Sequence, residues 1–297
     1  MTDRFSNPDP QPPIEARPIT QPRETPPWPS APWPPRPPRR PSPLATLELP
    51  GLSRKQAWLD LMLVFLATIL MPYLPLFFAL LTPSLEFESN VSAMVIAQTW
   101  CQALLAAGLL FYLIMRHRLT SSSFGVRSDR LGEQFAWSLG ALMGVYAALL
   151  VSVYLVGVII ALYPETGTDL EKRIEFAEQL PAKNIGTTVV LLIAVAVNEE
   201  VIFRGLLLPY LRRITGRWIW AGLISTLLFA SLHIPNQGLL GGIQIIAIGA
   251  VLSIFFLLSR SLLAVIVAHF CFDLIQFQLL RFLPRLKELL DKMPVLN

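Results

Sequence analysis

The stretch VLLIAVAVNEEVIFRGLLLPYL, Val190 to Leu211, decides how the chain is read. It has the length and apolarity of a membrane span, since about 20 residues cross a hydrocarbon core about 30 Å thick. Its middle nevertheless carries Glu199, Glu200 and Arg204. One charged side chain at the bilayer centre costs about 3 kcal/mol even on the mild insertion scale. Three so close together persist only when they are compensated, and an ionisable residue at that depth marks a functional site.

The rest of the composition agrees with a membrane setting. The chain of 297 residues is 54% hydrophobic and 15% charged, with a mean hydropathy of +0.55. Soluble domains carry about 25% charged residues. The apolar residues fall in long blocks, not in alternating or 3.6-residue stripes, which predicts an all-α polytopic bundle of about seven transmembrane helices. The net charge of +4 is accounted for by Lys and Arg flanking the spans, with no nucleic acid needed. Cys101 and Cys271 both fall inside predicted spans. They imply no disulfide framework and read as small core hydrophobes.

Five regions follow from this pattern. Residues 1–55 form a Pro-rich cytoplasmic arm without the apolar core of a signal peptide. Runs such as TPPWPSAPWPPRPPRRPSP favour polyproline II or disorder and offer docking to a PxxP-recognising partner. Residues 56–164 hold three spans, about 58–81 (kinked at Pro72 and Pro75), 91–115 and 134–163. Residues 165–184 have a weak amphipathic pattern through Ile174, Phe176, Ala177 and Leu180, predicting an interfacial segment. Residues 185–284 hold four spans, about 185–210, 218–234 (stopped by Pro235), 243–258 and 262–283. Residues 285–297 form a tail. Arg116, Arg118, Arg127, Arg130, Arg212, Arg213, Arg217 and Arg260 fall in loops on the side of the N-terminus, which sets that side as cytoplasmic. Arg281, Arg285 and Lys287 break the rule.

The strongly polar groups near mid-span are few: Asn198, Glu199, Glu200 and Arg204, then His233, then His269 and Asp273. His117 falls in a basic loop and reads as a surface residue. Glu200 and Arg204 are four apart with the acid first, the favourable order for a pair on one helix face. Glu199 lies about 100° round the helix and is left as the available carboxylate. His269 and Asp273 share a face, as do Phe229 and His233. At about 1.5 Å per residue, Glu199 and His269 coincide in depth and His233 lies somewhat further from the cytoplasmic side.

At these residues the chain resembles the CPBP family of intramembrane proteases, which includes type 2 CAAX prenyl endopeptidases, Abi proteins and lysostaphin-resistance proteins. Glu199–Arg204, EEVIFR, is similar to its Glu-Glu-x-x-x-Arg motif. Phe229–His233, FASLH, is similar to Phe-x-x-x-His, and His269–Asp273, HFCFD, to His-x-x-x-Asn/Asp. The likeness covers about residues 185 to 283. It implies an intramembrane glutamic endopeptidase acting on membrane-associated, CAAX-type proteins or peptides. Glu199, helped by His233, would activate a water; His269 and Asp273 would orient it or stabilise the oxyanion. Glu200, Arg204 and Phe229 would support them. Prenyl-protein members carry Asn at the last motif position, whereas Asp273 stands here.

The residues by themselves also allow this chemistry. A poorly solvated carboxylate is a strengthened base, and a His can relay its proton. Glu199, His233 and His269 are ligand types suited to zinc or another divalent metal, although acid–base catalysis without a metal is favoured. A proton-coupled transporter or a non-catalytic scaffold would use the same polar network. No second half echoes the Glu-Glu motif, as a transporter's inverted repeat would.

Overall fold

Every regular element among the described residues is helical, as the apolar blocks predict. The computed structural model describes residues 43–70, 91–163 and 184–292. Most of the Pro-rich arm, the Pro72 and Pro75 kinks, nearly all of the interfacial segment and the last five residues lie outside them. After a 3-10 turn at Pro43–Leu47 come α1 (Arg54–Leu70), α2 (Val91–His117), a second 3-10 turn (Ser121–Phe124) and α3 (Leu131–Leu162). The second half holds α4 (Ile185–Glu200), a π-helical segment (Val201–Leu207), α5 (Leu208–Thr215), α6 (Trp218–Ser259) and α7 (Leu262–Lys292).

Five stretches among the described residues have the length and apolarity to cross a membrane: Met94–His117, Leu131–Leu162, Ile185–Thr215, Trp218–Ser259 and Leu262–Leu279. The protein is thus a multi-pass membrane protein. The first predicted span is represented by α1, whose 17 residues fall short of the crossing length, and its continuation lies outside the described residues.

The 42-residue α6 is two antiparallel legs. Its backbone breaks at Gly238, where φ is 71° and ψ 176°, a conformation that only glycine adopts without strain. Thr226 Oγ1 then lies 3.4 Å from Ser253 Oγ. A Cβ on Gly242 would meet Ile234 Cγ1 at 2.8 Å, and one on Gly249 would meet Phe229 Cδ1 at 3.1 Å. These pairs close up toward Gly238, as in a hairpin. Pro235 was expected to stop the first leg. The helix instead continues through it and turns three residues later, because membrane helices tolerate a lost backbone bond and Gly238 supplies the required φ.

Small residues set the helix spacing. A Cβ on Gly140 or Gly144 of α3 would meet the Phe255 ring at 3.2 or 2.9 Å, so the two glycines admit this ring from the second leg of α6. Close approach of this kind takes the place of the hydrophobic drive that lipid cannot provide. Trp100 Nε1 of α2 donates to Val190 O of α4 at 3.2 Å, and Asn184 caps α4 through a reciprocal pair of bonds with Thr187.

The basic loops gather at one end. Arg127 donates to Ser259 O at 3.4 Å, Leu262 N to Gly125 O at 2.8 Å, and Ser261 Oγ to Gln134 Oε1 at 2.5 Å. Arg212 pairs with Glu48 at 2.9 Å, and Arg213 donates to Leu52 O. Arg127 also holds the Asp129 carboxyl below the usual carboxylate range. Arg281, the outlier of the charge pattern, lies at the far end of α7. It donates to Thr188 Oγ1 at 3.4 Å near the start of α4 and packs over Phe277 at 4.7 Å.

His117 departs from expectation. It is no surface residue: its side chain is 10% exposed and Nε2 lies 2.7 Å from Oδ2 of Asp60. Tyr210 Oη donates to the same carboxylate oxygen at 3.2 Å. The apolar surroundings of Asp60 made α1 read as a plain span, yet α1 is pinned to α2 and α5 through this buried carboxylate.

Candidate active site

The Glu pair sits where the α-helix gives way to the π segment. Leu208 N bonds Phe203 O five residues back, and Ser225 Oγ of α6 donates to that same carbonyl at 3.0 Å. Short π turns inside α-helices recur at functional sites. Arg204 lies within this turn and still reaches Glu200, with Nη1 donating to Oε1 at 2.7 Å. Both side chains are essentially buried, at 1% and 0% exposure. Arg204 Nη2 donates to Gly249 O at 3.1 Å, and its guanidinium stacks over the Phe229 ring at 4.7 Å. One carboxylate, one carbonyl and one aromatic face therefore compensate a fully buried cation.

Glu200 does more than neutralise Arg204. Its Oε1 also accepts from His269 Nδ1 at 2.7 Å. Nδ1 must carry the proton, because a carboxylate only accepts. The ring is thereby turned so that Nε2 faces Glu199 Oε2 at 3.7 Å and Asp273 Oδ2 at 3.3 Å. On the other side, His233 Nδ1 donates to Phe229 O at 2.9 Å, which leaves Nε2 directed at Glu199 Oε1, 3.7 Å away. Phe229 packs against His233 at 4.7 Å and against His269 at 6.3 Å between ring centroids. It is the apolar spacer that keeps the two imidazoles on either side of one carboxylate.

The structure therefore brings together Glu199, His233, His269 and Asp273, from three helices, with Glu200, Arg204 and Phe229 behind them. Exposure separates three of the four from the supporting set, His269 being buried. Glu199, His233 and Asp273 side chains are 20%, 25% and 25% exposed, open to a small reactant, while Glu200 and Arg204 are sealed. Oε2 of Glu199 has no hydrogen-bond partner among the described residues. That oxygen is itself buried, 3.7 Å from Nε2 of His269.

Two features went unread in the sequence. The tether from Glu200 to His269 gives no signal, because the spacing Glu200–Arg204 already provides Glu200 with a partner. The acceptor at Gly249 gives a weak one, a glycine in an apolar run. As to a metal, the two imidazole nitrogens face different oxygens of Glu199. Among the described residues no three His, Cys, Asp or Glu side chains converge in a way that would hold an ion.

Residues 181–275 match the family described as "Type II CAAX prenyl endopeptidase Rce1-like". The match covers about a third of the chain. All three motifs fall inside the match. An uncharacterized 24.3 kDa protein of Escherichia coli is 33% identical over 135 residues, which make up 45% of this chain and 58% of that protein. The chain thus spans little more than half the length of that relative. No solved structure matches. The helices α1 to α3, which pack around the matched segment, lie outside the family match.

Proposed function

We propose that the protein is an intramembrane endopeptidase that hydrolyses peptide bonds of membrane-associated proteins, those with prenylated CAAX-type ends included. The observation that carries this reading is the Glu199 carboxylate held between two imidazole Nε2 atoms, 3.7 Å from each, within a membrane-length helix. Glu199 takes a proton from a water, and the water oxygen attacks the scissile carbonyl carbon. His233 shares that proton through Nε2. His269, oriented by Glu200 and doubly protonated, donates from Nε2 to the developing oxyanion, and the Asp273 carboxylate 3.3 Å away balances the imidazolium charge. The intermediate collapses as the C–N bond breaks and the proton passes to the leaving nitrogen, which regenerates the Glu199 carboxylate. Donors fixed in a water-poor site act strongly on such charge because they need no reorganisation. The chemistry requires no metal. Its setting is the cell membrane with the N-terminus and the basic loop end cytoplasmic, and the Pro-rich arm is left for a PxxP-recognising partner.

The test uses the full chain in liposomes with farnesylated and unfarnesylated CAAX peptides. Glu199→Ala should lower cleavage at least a thousandfold while the protein stays folded, and Glu199→Gln should do the same. Undiminished cleavage by either variant refutes the assignment of Glu199. Activity that vanishes with a chelator and returns with one divalent metal refutes the metal-free mechanism.

A further inference from the structure

We propose that Ser225 is a positioning residue: its hydrogen bond to Phe203 O holds the helix that carries His233 in register with the helix that carries Glu199. The proposal rests on the endopeptidase reading for its consequence in catalysis, though not for the register itself. Ser225 lies on the first leg of α6, four residues before Phe229 and eight before His233. Steps of four along a helix keep to one face, and all three side chains meet α4 and its π turn. Ser225 Oγ donates to Phe203 O at 3.0 Å, the Phe229 ring meets the Phe203 ring edge-on at 5.0 Å, and His233 Nε2 faces Glu199 Oε1 at 3.7 Å. Of the three, the first is the directional bond. Ring contacts tolerate sliding, and 3.7 Å exceeds hydrogen-bond reach. Ser225 is 1% exposed, so solvent does not replace its bond once lost.

His233 needs this anchor more than His269 does. His269 is bonded straight to α4, through Nδ1 to Glu200 at 2.7 Å. The Nδ1 of His233 is spent on Phe229 O of its own helix, at 2.9 Å, so the ring goes where the first leg goes. The hydrogen bond from Arg204 passes this leg by and ends on Gly249 O of the second. Ser225 acts on the Glu199 side as well, through the carbonyl it meets. Phe203 O also accepts from Leu208 N, five residues on. The extra residue of such a turn rotates its two flanks by about 100° relative to an unbroken α-helix. Beyond the turn, α5 is pinned by Tyr210 Oη on Asp60 at 3.2 Å. A turn relaxing toward α-helix would therefore rotate the Glu199 side. One hydroxyl thus ties the π turn and the His233 leg together.

The experiment uses the full chain in liposomes, with a farnesylated CAAX peptide as probe and solid-state NMR of 15N-histidine protein as a second readout. Ser225→Ala should lower kcat about ten- to a hundredfold at unchanged KM, the effect of a misplacement of up to about 1 Å. In a His233→Gln background the same change should cost less than twofold. It should also move the Nε2 resonance of His233, assigned as the one that His233→Gln removes. Ser225→Cys, which puts a weak donor in place of a strong one, should act alike and serves if the alanine variant does not fold. Thr226→Val removes the neighbouring hydroxyl, 3.4 Å from Ser253 Oγ, and should alter neither kcat nor the resonance. An unmoved resonance, an undiminished kcat, an equal fall in both backgrounds or an equal effect of Thr226→Val overturns the proposal. If Glu199→Ala cleaves as well as the unaltered protein, or if the unaltered protein cleaves nothing, the endopeptidase reading fails. The resonance alone then decides on Ser225: a shift upholds the register and no shift overturns it.

Discussion

Replacing Glu200 by Gln separates two duties of one buried side chain. The single oxygen Oε1 accepts from Arg204 Nη1 and from His269 Nδ1, each at 2.7 Å. Glutamine keeps the volume and one carbonyl oxygen but removes the charge. Arg204 then stays buried with a carbonyl and an aromatic face for company. Stripping one partner from a buried ion pair costs about 3–5 kcal/mol, which for a chain of this size lowers Tm by roughly 6–15 °C. His269 loses the charged half of its tether as well. A hydrogen bond to a charged group contributes about 1.5–3 kcal/mol, so cleavage should fall about ten- to a hundredfold. The assay pairs thermal unfolding in detergent with peptide cleavage at a temperature where every variant is folded. The decisive variant is Glu200→Gln combined with Arg204→Met, which removes both charges. It should recover most of the lost Tm and little of the lost activity, since His269 is still untethered. Recovery of both refutes the tether and reduces Glu200 to a counter-ion. A Glu200→Gln protein as stable as the unaltered one refutes the compensation of Arg204 by Glu200.

Further outcomes follow from other contacts. Gly249→Ala should destabilise by about 1–3 kcal/mol, read as a lowered Tm, because the new Cβ would meet Phe229 at 3.1 Å and Arg204 Nη2 at 3.5 Å; Gly222→Ala, with open space around it, is the control. Phe229→Ala should remove the spacer between His233 and His269 and cut cleavage more than tenfold, read as kcat with the protein still folded by circular dichroism. Asp60→Asn should loosen α1 from α2 and α5 and accelerate proteolysis near residue 54 without abolishing cleavage. Arg127 depresses the Asp129 carboxyl, so that pair stabilises above the ordinary carboxylate range and the contribution is lost as pH falls through the depressed value. Asp129→Asn should therefore lower Tm at pH 6 and leave it unchanged at pH 2–3, with the difference shrinking in high salt because the group is exposed.

The all-helical membrane class and the identity of the polar residues were legible in the chain itself. Charge is so expensive in hydrocarbon that seven residues, Asn198, Glu199, Glu200, Arg204, His233, His269 and Asp273, stand out against apolar blocks without any three-dimensional knowledge. The pairing of Glu200 with Arg204 was legible too, since four residues along one helix bring them together. Contacts between helices were not. Sequence periodicity reports a face of one helix and says nothing of which face of another it meets. The tether from Glu200 to His269, the carbonyl of Gly249 under Arg204 and the burial of His117 against Asp60 span 69, 45 and 57 residues. The fold-back at Gly238 depended on a glycine φ that Pro235, the louder signal three residues earlier, concealed. The π turn at Val201–Leu207 had no sequence mark, because a single i→i+5 step is stabilised from outside the helix, here by Ser225 on Phe203 O. The chain alone determined which groups the membrane had to compensate. The tertiary structure decided that Glu200 serves Arg204 and His269 at once, and that Glu199 is left between two imidazoles with an oxygen free.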